Sequence, residues 1–318
     1  MRKDFALCMD HNYVPFACVT ITSVIASMKS DDDVHIHVLG NELKQDDVDL
    51  LKSLSNSVTV YDVGECLRSK ELKVTNEWSL AAWSRFWLPD VLPVSISRVL
   101  YIDCDVIIND SLDELFKMNL TGVSVAGCLD IPSYDDSTYE RLGYDRKLRY
   151  ISSGVLLINL EYWREKNIKN RLIEYGIGRN LEFPDQDTIN YVCCNTKLIL
   201  PNKYGVLVQF FVTPASQHEF GPQLRSLLES PKIIHYAGYQ PWIYCKNKSA
   251  HSGLWWKYYN QLGRFPEIRI NYFKSIVKYF VRWIMCKTHL MSKDNKYSIY
   301  QYYYHPRVSS VYLKKLGF

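Results

Sequence analysis

Asp103 and Asp105 stand two apart in "RVLYIDCDVII", Arg98 to Ile108, where a strand-forming run is at its most apolar. A buried carboxylate without a partner is costly, so these groups need something cationic or a strong donor to hold. Residues two apart on a strand share a face. If the strand stays extended, both carboxylates converge on one ligand: a divalent metal, a sugar hydroxyl or a buried arginine. Hard oxygen donors of this kind suit Mg²⁺ or Mn²⁺. A second cluster, "PDQDTIN" from Pro184 to Asn190, reads equally as a solvated first helical turn in which Asp185 and Asp187 are favoured by the helix dipole. A third, "IIHYAGYQPW" from Ile233 to Trp242, delivers His235 and then a glycine turn. A lone histidine is more often structural than a ligand.

The elements around these residues alternate. "FALCM" is strand-like and ends at Asp10. It is followed by a helical "VPFACVTITSVIASM", a strand "VHIHVLG", a helix in "LKQDDVDLLKSLS" and a strand "VTVYDV". A helix around "LAAWSRFWLPDVL" precedes the strand that ends in the two aspartates. "SVAGCLD" and "SSGVLLINL" read as further strands, the second too continuously apolar to have a solvated face. Helices are expected from Glu161 to about Tyr175 and again from Pro184. This order predicts an α/β fold with a mostly parallel central sheet, whose ligand lies beyond the carboxyl ends of the strands. Asp10, Asp103 and Asp130 each end a predicted strand.

The chain has 318 residues, 47% of them hydrophobic and 23% charged, the composition of a globular enzyme. No window has the length and apolarity of a membrane span, and no secretory leader is visible at the start. Nine scattered cysteines without a CxxC pair fit a reduced, cytoplasmic chain. Neither GxGxxG nor the P-loop pattern occurs, so a bound diphosphate would need side chains or a metal to neutralise it.

In their order along the chain, "CMDHNY", "AAWSRFWLPDVL", "VLYIDCDVII", "CLD", "SSGVLLINL", "DQDTIN" and "HYAGYQPW" resemble the retaining glycosyltransferases of family eight. That group includes glycogenin and bacterial lipopolysaccharide α-galactosyl- and α-glucosyltransferases. The resemblance runs from about Phe5 to Trp242. It implies a GT-A fold, a UDP-sugar donor, Mn²⁺ or possibly Mg²⁺, and transfer of glucose or galactose to a glycan or lipid-linked glycan acceptor. Carried over residue by residue, Asp10 and Asn12 would hold the uridine, with the Cys8 backbone alongside. Asp103, Asp105 and His235 would be the metal ligands. Gly238 would let the backbone approach the diphosphate. Arg85, Asp130 and Asp185 would contact the donor sugar, and Gln186 would face its β side. An amide is a poor nucleophile, which favours front-face substitution over the paired carboxylates of a retaining glycosidase. Asp185 is the alternative nucleophile.

The chain departs from the family at two points. "HYAGYQPW" is one residue shorter than the family's motif and lacks its lysine, for which Lys246 or Lys248 could substitute. Ser152 stands where the family often has asparagine, which leaves the donor sugar open. These departures support one alternative, a non-catalytic nucleotide-sugar-binding protein of the same fold.

Beyond Ile268 the chain carries ten lysines and arginines against one acid. The expected division is therefore a catalytic domain over 1–266 and a basic segment over 267–318. In "INYFKSIVKYFVRWIMCK", Lys274, Lys278 and Arg282 recur every four residues, while Phe273, Ile276, Val277, Phe280, Val281 and Ile284 take the other face. This pattern predicts an amphipathic helix at the inner face of an anionic membrane. A helix docked on its own domain is the competing reading, and nucleic acid is not expected as a partner. The aromatic run "YSIYQYYYHPR" suits the same headgroup boundary.

Overall fold

A computed structural model describes residues 1–68, 80–207, 209–212, 223–243 and 249–288. Lys246, Lys248 and the "YSIYQYYYHPR" run lie outside these residues. The chain folds into two compact units. One comprises Met1–Val206 with Ser230–His235, and the other comprises Leu207–Glu229 with the chain from Tyr236 onward.

In the first unit, seven strands form a sheet: β1 (Arg2–Asp10), β2 (Asp33–Asn41), β3 (Val58–Asp62), β4 (Arg98–Ile102), β6 (Val125–Leu129), β7 (Ile151–Asn159) and β8 (Lys197–Ile199). Their spatial order is β3-β2-β1-β4-β7-β6-β8. Every pairing is parallel except those of β7, which runs against both β4 and β6. The expected mostly parallel sheet is present. Residues 151–158 of β7 are all buried, as their unbroken apolarity requires.

A second sheet takes β5 (Val106–Ile108), β9 (Val206–Leu207) and β10 (Ile233–His235), with β10 in the middle and antiparallel to β5. The run that contains the two aspartates is therefore not one extended strand. It breaks over residues 103–105, between β4 in one sheet and β5 in the other. The Asp103 N–H donates to Gly154 O at 2.9 Å, and Thr20 Oγ1 on helix α1 (Val14–Ser27) donates to Cys104 O at 2.8 Å. These bonds satisfy the turn's backbone while the chain crosses between sheets.

Helix α2 spans Gln45–Ser53. The helix expected around "LAAWSRFWLPDVL" is instead a tight 3₁₀ helix over Leu80–Trp87, followed by a single α-helical turn, Leu88–Val91. The segment after β7 is split into α3 (Leu160–Glu165) and α4 (Ile168–Gly176). The break falls at Asn167, whose φ of 51° is left-handed, a conformation asparagine tolerates better than most residues. Helix α5, Pro184–Val192, starts on its proline as expected.

Apolar residues from β1, β4 and β7 pack against Trp83, Phe86, Trp87 and the buried faces of α3 to α5 in one core. Those large rings anchor the 3₁₀ helix and fix the direction of Arg85 between them.

In the second unit, α6 (Ser252–Leu262) and α7 (Pro266–Lys287) carry an aromatic cluster. Trp255 stacks on Tyr259, and Trp256 meets Tyr272 edge-on with centroids 5.1 Å apart. No described helix is long and apolar enough to cross a membrane.

Candidate active site

The site lies at the carboxyl ends of the parallel strands, where β1 stops at Asp10, β4 just before Asp103 and β6 just before Asp130. Strand β7 runs the other way, so its first residues arrive at the same edge.

The 103–105 turn and the end of β10 bring three ligating groups together. Asp103, Asp105 and His235 place one donor atom each within 4.8 Å of the others. His235 Nε2 is 3.2 Å from Asp105 Oδ1 and 3.6 Å from Asp103 Oδ2. Burial opposes a charged imidazole here, yet Asp105, and then Asp103 and Asp130, pull its pKa up to about 9. The two carboxylates thus draw a cation to this point. Two carboxylates from one turn and an imidazole from the end of β10 fit a divalent ion. The fit is close because Gly154 lies under it. A Cβ there would be 2.7 Å from Asp103 Oδ2 and closer still to the imidazole.

Arg85, only 4% exposed, links this cluster to α5. Its Nη2 donates to Asp103 Oδ1 at 3.2 Å, its Nη1 donates to Ser153 O at 2.6 Å, and Nε donates to Ala82 O at 3.0 Å. The guanidinium lies 4.1 Å from the centroid of the Tyr101 ring, whose hydroxyl donates to Asp103 Oδ1 at 2.6 Å. Asp185 Oδ2 is 3.0 Å from Arg85 Nη1 and accepts no directed hydrogen bond, so its charge is balanced while its lone pairs are unused. Burial pushes the Asp185 carboxyl up, with Arg85 opposing. Burial likewise raises Asp130, opposed by the Ile131 N–H that its carboxylate accepts at 2.6 Å and by nearby His235, Gln186 and Ser152. Gln186 Oε1 accepts the Ser153 N–H at 2.8 Å.

Asp10 accepts the Asn12 N–H at 3.0 Å and so caps the turn that follows β1; Asn12 is exposed beside it. Cys8 is buried two residues earlier, and its carbonyl accepts a weak bond from the Cys104 thiol at 3.5 Å. Gly238 belongs to the second unit and adopts φ 70°, a left-handed conformation that suits glycine.

In "PDQDTIN" only Asp185 and Gln186 reach the cluster. Asp187 is not a solvated turn residue; it is fully buried. It accepts two bonds from Arg141, at 2.6 and 3.1 Å, one from Tyr150 at 2.7 Å, and the N–H groups of Glu182 and Phe183. Asn190 bonds both the N–H and the C=O of Ile151, which ties α5 to the start of β7. Tyr150 and Arg141 lie outside the motifs quoted above, and Tyr101 and Ser153 lie inside two of them without a role assigned. Only Tyr101, two residues before Asp103 in the same apolar run, was discoverable by alternation.

A crystal structure of galactosyltransferase LgtC in complex with donor and acceptor sugar analogues superposes with a TM-score of 0.72 at 22% identity, covering 84% of this chain and 99% of that one. The fold is thus the GT-A fold of nucleotide-sugar-dependent glycosyltransferases. The model of Glycosyl transferase family 8 matches residues 4–246, and the chain belongs to that family. A lipopolysaccharide 1,2-glucosyltransferase of Escherichia coli is 26% identical over 74% of this chain and 71% of its own length. A lipopolysaccharide 1,3-galactosyltransferase of Salmonella typhimurium is 24% identical over 76% of this chain and 73% of its own length.

Proposed function

We propose that this hexosyltransferase moves glucose or galactose from a UDP-linked donor, with Mn²⁺, onto a glycan acceptor of lipopolysaccharide or another cell-surface polysaccharide. The anomeric configuration is retained and the product is α-linked. The observation that carries this reading is the convergence of Asp103, Asp105 and His235 beside the Arg85–Asp185 pair. The named activities of the relatives support the hexose and the class of acceptor.

In this reading, Asp103, Asp105 and His235 hold the metal, which when bound supplies Lewis-acid stabilisation of the departing diphosphate. Asp10, Asn12 and the Cys8 backbone hold the uridine, and the Gly238 turn admits the diphosphate. Asp185, Asp130 and Arg85 contact the hydroxyls of the donor sugar. As positive charge grows at the anomeric carbon, the Gln186 carbonyl and the nearby carboxylates stabilise it electrostatically. Asp185 is held by Arg85, which weakens it as a nucleophile, so front-face attack is favoured. The acceptor hydroxyl's proton then passes to the departing phosphate oxygen.

Residues 1–266 form the catalytic part and 267–318 attach it to the cytoplasmic face of a membrane. Helix α7 supports this second assignment. Tyr272, Ile276, Tyr279 and Trp283 are half-buried on one side, while Ile270, Phe273, Val277, Phe280, Val281 and Ile284 are 45–61% exposed on the other. Exposed Lys274 and Lys278 flank that apolar stripe. A stripe of this kind marks an interaction surface, and flanking lysines suit anionic headgroups. The helix therefore divides the two roles weighed from its sequence between its two sides, with Ile276 on the packed one.

A screen of UDP-sugars for UDP release in Mn²⁺, followed by NMR of the product, tests the proposal. Release from UDP-glucose or UDP-galactose with an α-linked product is expected. A β-linked product overturns retention. Calorimetric binding of UDP-sugars without any release would favour the non-catalytic alternative.

A further inference from the structure

We infer that Tyr150 is a positioning residue for the transfer: with Asp187 and Arg141 behind it, it holds the nitrogen end of the Gln186 amide while the Ser153 N–H holds the oxygen, and so fixes how the amide faces the donor sugar. The inference rests on the reading of Gln186 given above and extends it to a second layer of residues.

An amide side chain can sit in two orientations of nearly equal shape, and only its hydrogen bonds choose between them. Here the choice is imposed in steps. Arg141 grips Asp187 at both carboxylate oxygens, 2.6 and 3.1 Å away. The paired carboxylate only accepts, so the Tyr150 hydroxyl, 2.7 Å from Asp187 Oδ1, must give its proton to it. The phenol oxygen is then left as an acceptor, and the Gln186 atom 3.2 Å from it must be the NH₂ nitrogen. The carbonyl oxygen consequently falls on the other side, where the Ser153 N–H meets it at 2.8 Å. With the amide nitrogen donating to Tyr150 and Oε1 accepting from Ser153, the second lone pair of Oε1 remains for another partner. That lone pair, rather than an N–H, is what a developing cation needs.

Tyr150 and Asp187 are fully buried, and Arg141 is turned onto Asp187, so none of the three touches the reacting atoms by this account. Without the phenol, Gln186 keeps the Ser153 N–H, which still calls for its oxygen, but the amide is held at one end only and can tilt away from the position that faces the sugar.

The test is a double-mutant cycle on the full chain, with UDP binding and thermal melting measured alongside kinetics. Tyr150→Phe should lower kcat about 10- to 100-fold, as expected for a misplaced contact at the reacting centre, and leave the donor KM and UDP affinity unchanged. In a Gln186→Ala background the same change should add almost nothing. Arg141→Lys, which keeps a charge but not the two-point grip, should give a smaller loss that also vanishes in that background. This second arm stands if Tyr150→Phe does not fold. Wild-type kcat in both single variants, or equal losses with and without Gln186, overturns the inference. Wild-type turnover in Gln186→Ala alone overturns instead the assignment of Gln186 on which it rests.

Discussion

Gly154 and His235 are so close that a methyl group on the glycine would lie 2.1 Å from the imidazole Cε1. The reversed strand β7 thus leaves room for the histidine only because it has no side chain at this position. Gly154→Ala should displace His235 and Asp103 from each other. Manganese affinity, read by calorimetry or electron paramagnetic resonance, should fall about 10- to 100-fold. Unchanged binding would mean that the imidazole does not hold the metal.

Asp105→Asn keeps the shape of the turn and removes one charge from the three-ligand cluster. Turnover should fall by orders of magnitude. Full activity of this variant in EDTA would end the metal assignment.

The sequence already pointed to one sheet edge as the place of the candidate site, because apolar runs ending in Asp10, Asp103 and Asp130 leave carboxylates there. It also placed His235, through the strand-like run before it. It failed where the cause was not local. Nothing in "YIDCDV" announces that the chain changes sheets at Asp103, since the partner strand β10 lies far along the sequence. Asp187 reads as a helix-dipole residue until Arg141 and Tyr150 are seen to surround it. Leu80–Trp87 has helical spacing, yet it winds as a 3₁₀ helix with Trp83, Phe86 and Trp87 buried in the core.

The two sides of α7 predict opposite behaviour. Phe273→Ser with Phe280→Ser, on the exposed stripe, should abolish sedimentation with anionic vesicles and leave the melting temperature unchanged. Tyr272→Ala, which removes the ring against Trp256, should lower the melting temperature and spare vesicle binding. Full-length chain that ignores anionic vesicles even at low salt would refute the membrane role.

Lys197 supplies a pH test. Its amine donates to Asn190 Oδ1 at 3.0 Å and faces the Tyr144 ring, and burial pushes its pKa down to about 8 from 10.5. Between those values the unfolded chain binds more protons than the folded one, so this group's contribution to stability rises with pH. Relative to Lys197→Met, the wild type should gain on the order of 3 kcal/mol in urea unfolding between pH 7 and pH 10.5. A constant difference across that window would show that the lysine titrates normally.

His235 reaches the cluster because β10 pairs with β5 in one register, His235 opposite Val106 and Ile233 opposite Ile108. Side chains alternate along a strand, so a slip of one residue would turn the imidazole to the far face while most backbone hydrogen bonds re-formed. The cluster therefore acts as a vernier on strand alignment. A chain folded one notch out would keep its sheet and its mass and be silent in any assay of metal binding, which makes that binding a measure of folding fidelity as well as of chemistry.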